Sequence, residues 1–263
     1  MIILVYLLLG AVAGLTAGLF GVGGGLVIVP ALVFSFSFLD VAPTVLTQLA
    51  IGTSLATIVM TSISSVRAHH GYGNVDWHLW FRLAPAIALG VILGVCTAVG
   101  MAGAHLQLLF GVFAIVIGLQ MGLRLQPRPG RVVPGLAGLG FAGTVIGYVS
   151  ALFGIGGGSL TVPFLSWCNV KMQKAVGLSA ACGLPIAVVG CLTNIVAGWG
   201  REDLPEYSTG FVYWPAFLGI VLASTLFAKV GAKLAQRLPE ARLKQVFALF
   251  LVIIGSQFIV RNI

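Results

Sequence analysis

The stretch Leu19-Phe-Gly-Val-Gly-Gly-Gly25 returns as Leu152-Phe-Gly-Ile-Gly-Gly-Gly158, 133 residues further along the chain. Each copy follows an apolar run, and each is trailed at the same distance by a proline, Pro30 and Pro163. A glycine in a helix costs about 1 kcal/mol relative to alanine, so three in succession interrupt a helix. The same interruption in two apolar settings points to a transporter built from two related halves, with its binding site where the broken helices meet.

The setting of the two copies is lipid-soluble. Of 263 residues, 59% are hydrophobic and 8% charged, and the mean hydropathy is +1.10. Soluble domains carry about 25% charged residues. The runs 2–20, 83–103, 106–123 and 247–260 approach or reach the ~17–25 residues of a membrane-spanning helix. The fold class expected is an all-α polytopic membrane protein, with the bilayer as its surroundings. The net charge of +8 does not point to nucleic acid. The basic residues stand at the ends of apolar segments, where they serve as membrane anchors, not in a patch interleaved with aromatics. Cys96, Cys168, Cys182 and Cys191 form no CxxC pair and read as small buried hydrophobes. Ala11-Val-Ala13 after an apolar run resembles a cleavage site, but no basic segment precedes it, so the N-terminus is expected to be retained.

The repetition extends past the glycines. Gly14 matches Gly147, Ala50-Ile-Gly-Thr-Ser54 resembles Ala175-Val-Gly-Leu-Ser179, and Pro85-Ala86 matches Pro215-Ala216. Leu106, Phe110, Phe113, Ile117 and Gly118 recur as Leu243, Phe247, Phe250, Ile254 and Gly255. The chain therefore divides into a first repeat at 1–124, a polar, proline-bearing cytoplasmic linker at 125–133 and a second repeat at 134–263. Each repeat reads as an apolar segment, the glycine break, a shorter apolar segment and three further helices. The helices are expected near 2–20, 25–38, 44–66, 79–100 and 105–123, then near 133–153, 158–168, 174–197, 211–229 and 241–260.

Lysine and arginine counts decide whether a broken segment crosses once or turns back, because cytoplasmic loops are enriched in both. If each broken segment is a single crossing, the fourteen basic residues split seven against seven. If each is a hairpin, twelve fall on one side, and the other keeps only Arg201 and Arg261 together with Asp40, Glu202, Asp203 and Glu206. The hairpin reading carries the bias. Three further crossings then leave each repeat with an odd net number, so the two repeats lie inverted, with the N-terminus external and the linker cytoplasmic.

Irregular backbone survives in a bilayer only where protein or a water-filled cavity surrounds it. Gly23, Gly24 and Gly25 precede one short helix and Gly156, Gly157 and Gly158 the other, so unpaired N–H groups and a positive helix end face each break. That arrangement attracts anions without a cationic side chain. The expected substrate contacts are Gly21, Gly23, Gly24, Gly25, Gly154, Gly156, Gly157, Gly158 and Ser159, with Thr161 as a further hydroxyl donor that the first copy lacks. The alternative is that these glycines only let helices pack closely. Gln48, Thr53, Ser54, Ser179 and Asn194 fall on the helices after the hairpins and suit either substrate or interhelical hydrogen bonds. No acidic or basic residue lies mid-span, which speaks against a carboxylate proton relay. His69-His70 reads as an interfacial pair, Trp77, Trp80, Trp199 and Trp214 as an aromatic belt. No catalytic residue, metal site or cofactor is expected.

On the doubled Gly-x-Gly-Gly-Gly with its trailing proline, Gly52-Thr-Ser54 and the Pro85 and Pro215 helices, the chain resembles the sulfite exporter TauE/SafE family of membrane permeases. The resemblance covers nearly the whole chain. It implies a bacterial inner-membrane carrier of small anions, such as sulfite, organosulfur or carboxylate compounds, usually moved outward. Carried over by motif, it implicates the two glycine runs with Thr53 and Ser54, while Leu178 stands where the first repeat has Thr53 and weakens Ser179 as the equivalent contact. An anion channel, an intramembrane enzyme built on His69, His70 and a cysteine, and a subunit of a larger complex are the competing readings. No nucleotide-binding motif is present, so a carrier would draw on a gradient, with H+ or Na+ as the coupling ion.

The topology predicts that a cysteine placed at Arg201 is labelled by an impermeant thiol reagent from outside intact cells, whereas one placed at Arg128 is not. The opposite pattern would overturn the hairpin count.

Overall fold

A computed structural model describes residues 2–20, 24–123, 130, 132–235 and 240–263. Among them the chain forms ten helices: α1 (Ile2–Phe20), α2 (Gly25–Phe38), α3 (Pro43–Gly71), α4 (Trp77–Gly100), α5 (Gly103–Gly122), α6 (Leu136–Leu152), α7 (Gly158–Trp167), α8 (Met172–Ala197), α9 (Trp214–Ala235) and α10 (Glu240–Asn262). A two-stranded ribbon, β1 (Ser208–Thr209) with β2 (Val212–Tyr213), precedes α9. Helices α3, α4, α5 and α8 and the Gln245–Asn262 part of α10 are long and apolar enough to cross a bilayer. Leu8, Leu93, Phe141, Leu192, Leu222 and Leu249 stand exposed on helix faces. Such apolar surface suits lipid rather than water.

Both glycine breaks turn the chain back on itself. Gly24 lies beside the Ala13 carbonyl, while Tyr6 and Phe36 both pack on the Tyr213 ring, at centroid distances of 6.1 and 5.6 Å. Helix α2 thus returns along α1. In the second hairpin the Gly130 amide donates to the Trp167 carbonyl at 3.4 Å, bringing the end of α7 back to the start of α6. The returning arms are short. Fourteen residues in α2 and ten in α7 span about 21 and 15 Å at 1.5 Å per residue, less than the ~30 Å hydrocarbon core. They begin in the middle of the protein, where Gly25 and Gly156 face Ile58 of α3 and Gly157 faces Ile186 of α8.

Close helix pairs hold the hairpins. Gly10 and Gly14 rest on Ile220 and Ser224, so α1 and α9 run parallel. Gly90 meets Thr144 and Gly94 meets Tyr148, which makes α4 and α6 parallel as well. Gly111 touches Gly255 and Gly118 touches Ala248, so α5 and α10 are antiparallel; Leu55 with Gly190 and Ser62 with Gly183 show the same of α3 and α8. Apart from the Leu55 side chain on Gly190, these contacts are to backbone or to a small side chain, the arrangement that small residues permit where water supplies no driving force.

Prolines inside helices leave carbonyls without their usual donor. Pro185 does this to Ala181 of α8, and the Trp80 indole Nε1–H donates to that carbonyl at 3.0 Å. Trp80, expected in an aromatic belt, is thus a strut between α4 and α8. Helix α3 also runs five residues beyond its expected end, so His69 and His70 lie in its last turn.

The ends of the helices sort by charge. At one rim Thr44 donates to Asp203 (3.3 Å), Arg201 holds Asp203 through two bonds (2.9 and 2.8 Å) and Arg261 donates to Ser37 (3.3 Å). The Arg201 guanidinium keeps the Asp203 carboxyl below its usual range. Arg67, Lys171 and Lys174 lie toward the other rim, where Asn74 packs on Gly177. The linker residues 124–129 and 131 lie outside the described residues.

At Gly90 an added side chain would collide with the Thr144 carbonyl, whereas at Gly140 nothing stands within 4 Å. Gly90→Val is expected to destabilise the purified protein by about 1–3 kcal/mol, the cost of overpacking. Gly140→Ala, which removes a helical glycine without crowding, is expected to leave the thermal midpoint unchanged or raise it in the same fluorescence melt.

Candidate functional site

The second break is built from a helix end and a helix start. Gly154 adopts φ +64° and closes α6: its amide donates to the Ala151 carbonyl (3.3 Å) and the Ile155 amide to Ser150 (2.9 Å). This is a Schellman ending, which favours glycine because a left-handed residue with a Cβ is strained. Two residues later α7 begins, and the first bonds to the Gly157 carbonyl come from Leu160 (3.3 Å) and Thr161 (2.8 Å). Among the described residues, the amides of Gly156, Gly157, Gly158 and Ser159 have no backbone acceptor.

Three hydroxyls share this condition. Ser159, Thr161 and Ser179 are 8%, 0% and 3% exposed, and none of their Oγ atoms has a hydrogen-bond partner among the described residues. Thr161 Oγ1 lies 3.1 Å, and the Ser179 carbonyl 3.5 Å, from where a Cβ on Gly157 would stand. Gly156 is buried, and among the described residues a Cβ there would meet Ile58, at 3.7 Å. Among the described residues, then, nothing crowds Gly156 beside these donors. Buried polar groups without partners cost about 1–3 kcal/mol each, so a cluster of them calls for an occupant that accepts hydrogen bonds. Ser150, fully buried on α6, has an unpartnered Oγ as well; no spacing in the sequence marks it.

The first break is different. A Cβ on Gly25 would stand 2.7 Å from the Gly154 carbonyl and from Ile155 Cα, so tip is packed on tip. As at the second break, two amides, those of Val27 and Ile28, donate to the carbonyl before the helix, Gly24 (3.0 and 2.8 Å). Leu26 and Ile28 occupy the places of Ser159 and Thr161. Gly25 acts in packing, and Gly21 and Gly23 lie outside the described residues.

Several residues expected to suit substrate hydrogen-bond to the protein, although Gln48 Oε1 is buried without a partner among the described residues. Gln48 Nε2 donates to the carbonyls of Ala98 (3.4 Å) and Met101 (2.9 Å) at the end of α4. Thr53 Oγ1 accepts from the Tyr213 amide (3.0 Å), and Asn194 Nδ2 donates to Gly190 (2.8 Å). Ser54 donates to the Gly154 carbonyl (2.8 Å) and so fixes the tip of the second hairpin on α3. In helices packed without water a hydrogen bond across the interface is the cheapest use of such a group. His70 Nδ1 accepts from the Trp77 indole (3.2 Å) at the rim, and among the described residues no three His, Cys, Asp or Glu could share a metal ion.

The site thus offers hydrogen-bond donors and the positive end of α7, the physical makings of an anion site. The sequence model of the sulfite exporter TauE/SafE family matches residues 6–258. The chain belongs to this family. A probable membrane transporter protein of Haemophilus influenzae is 41% identical over 96% of both chains. The probable membrane transporter protein YunE of Bacillus subtilis is 28% identical over 98% of both. One from Methanocaldococcus jannaschii is 26% identical over 95% of this chain and 92% of its own. No solved structure matches. With its long apolar helices this TauE/SafE-family protein is a multi-pass membrane transporter.

Ser54→Ala is expected to lower stability by about 1 kcal/mol, through the lost bond to Gly154. Thr161→Val, which removes an unpartnered hydroxyl at nearly constant shape, is expected to leave the melting midpoint of the ligand-free protein unchanged or raise it.

Proposed function

We propose that this transporter is a secondary carrier that exports a small anion, such as sulfite, an organosulfonate or a related organosulfur or carboxylate compound, across the bacterial inner membrane by alternating access. The observation that carries the reading is the start of α7, where four amides and three hydroxyls lack partners among the described residues and Gly156 is uncrowded by them. One helix N-terminus supplies about half a positive charge, and the hydroxyls supply direct donors. Neither requires a cation in the membrane.

The pairing of helices supports the second part of the proposal. Under the repeat relation α1 corresponds to α6, α4 to α9, α5 to α10 and α3 to α8. Exchanging each for its counterpart turns the α1–α9 pair into α6–α4 and returns α5–α10 and α3–α8 to themselves. The contacts obey the same exchange: Gly118 with Ala248 becomes Gly255 with Gly111. Because α5 and α10 are antiparallel, the axis relating the repeats lies in the membrane plane. Inverted repeats 1–124 and 134–263 rocking against each other around a site in mid-bilayer give alternating access. The basic rim faces the cytoplasm in this arrangement, placing the N-terminus outside. Energy comes from a gradient of the substrate or of a coupling ion, H+ or Na+.

The test uses the space at Gly156. Gly156→Ala adds a methyl group that fits against Ile58 and fills that space. The variant is expected to keep the wild-type melting midpoint but to lose most of the stabilisation given by the best ligand among sulfite, thiosulfate, methanesulfonate and acetate, measured by thermal shift. Wild-type affinity in the variant would remove the α7 site from the mechanism. Electrogenic flux saturating with anion and coupled to an ion gradient in proteoliposomes would support a carrier; uncoupled, non-saturating flux would make it a channel.

A further inference from the structure

The charge available at the α7 site is countable. Helix α7 presents its N-terminus there, and the N-terminus of α2 abuts the same place through Gly25 against Gly154 and Ile155. At about half a unit each, the two helix starts offer at most about one positive charge, and the carboxyl end of α6 at Gly154 lowers that total. Nothing nearby adds to it: no Lys, Arg or His is buried among the described residues, and those with described side chains stand at the rims. A second negative charge on the occupant would go uncompensated in surroundings of low dielectric, where desolvation of an unpaired ion is heavily penalised.

The polar atoms of the site point the same way. Amides and hydroxyls donate, but the Ser179 carbonyl is an acceptor, 3.5 Å from the Gly157 Cβ position, and the unpartnered hydroxyls of Ser159, Thr161 and Ser179 accept as readily as they donate. An oxyanion that keeps one O–H finds a partner for it, and a bare dianion meets repulsion at the carbonyl.

We propose that the α7 site takes small oxyanions bearing a single negative charge and rejects dianions of the same size. For a substrate whose second proton leaves near neutral pH, the protonated monoanion is the species bound. The pH dependence of such transport then comes from the substrate, with no titrating side chain at the site. This deepens the anion-carrier reading and rests on it.

The experiment titrates the purified full-length protein, by thermal shift, with methanesulfonate (always a monoanion), sulfate (a dianion) and sulfite, from mildly acidic to mildly alkaline pH. The same titrations are made on Ser159→Ala/Thr161→Val. Methanesulfonate is expected to bind with an affinity independent of pH and sulfate at least about tenfold more weakly, a difference of about 1.4 kcal/mol. The apparent affinity for sulfite is expected to fall about tenfold per pH unit once the dianion prevails. The double variant is expected to lose methanesulfonate binding about tenfold or more. If sulfate binds as well as methanesulfonate, or sulfite binds more tightly as pH rises, and the double variant weakens both, charge selection is overturned while the α7 anion site stands. If methanesulfonate binds the double variant unchanged, or none of the three binds the wild type, the site and the selection fall together.

Discussion

A peptide group inside a bilayer has no water to bond to, and every part of this structure answers that constraint. Long helices satisfy it internally. The two glycine breaks cannot, so they are surrounded: Gly25 lies against Gly154 and Ile155, and Ser54 donates to the Gly154 carbonyl from α3. Even the carbonyl released by Pro185 finds the Trp80 indole. Unpartnered buried atoms occur elsewhere too, on Tyr6, Gln48 and Ser150 among others, but at the start of α7 hydroxyls and amides without partners among the described residues cluster.

The asymmetry between the two breaks has a simple physical origin. Both repeats deliver a helix N-terminus to the centre, but only the second supplies hydroxyls there, while the first supplies Leu26 and Ile28. The first hairpin becomes a packing partner whose tip closes on the second. On the proposed reading, duplication yields one site from two similar ends, with the twin contributing backbone charge and support. Close pairing of α1 with α9 and α4 with α6, each from opposite repeats, binds the hairpins to the helices they would move against.

Much of this was legible in the chain. The doubled glycine run, the spacing of the prolines and the charge bias pointed to hairpins and to the five helices per repeat, and the structure places described helices within a few residues of the expected bounds, except that α3 ends five residues and α9 six residues later than expected. The polar residues were less legible. Gln48, Thr53 and Asn194 look like site residues in sequence because any polar group in an apolar helix does; what they touch depends on which neighbour offers a free carbonyl or amide. Ser150 carries no marker at all.

The sequence by itself determined that this protein lives in lipid, that its chain breaks twice at related points and that its charges favour one rim, because composition and glycine act locally. Only the tertiary structure decided that Gly25 packs on the tip of the second hairpin, and which hydroxyls are spent. Those outcomes depend on distances between residues more than a hundred positions apart, such as Ser54 and Gly154, and no local preference encodes them.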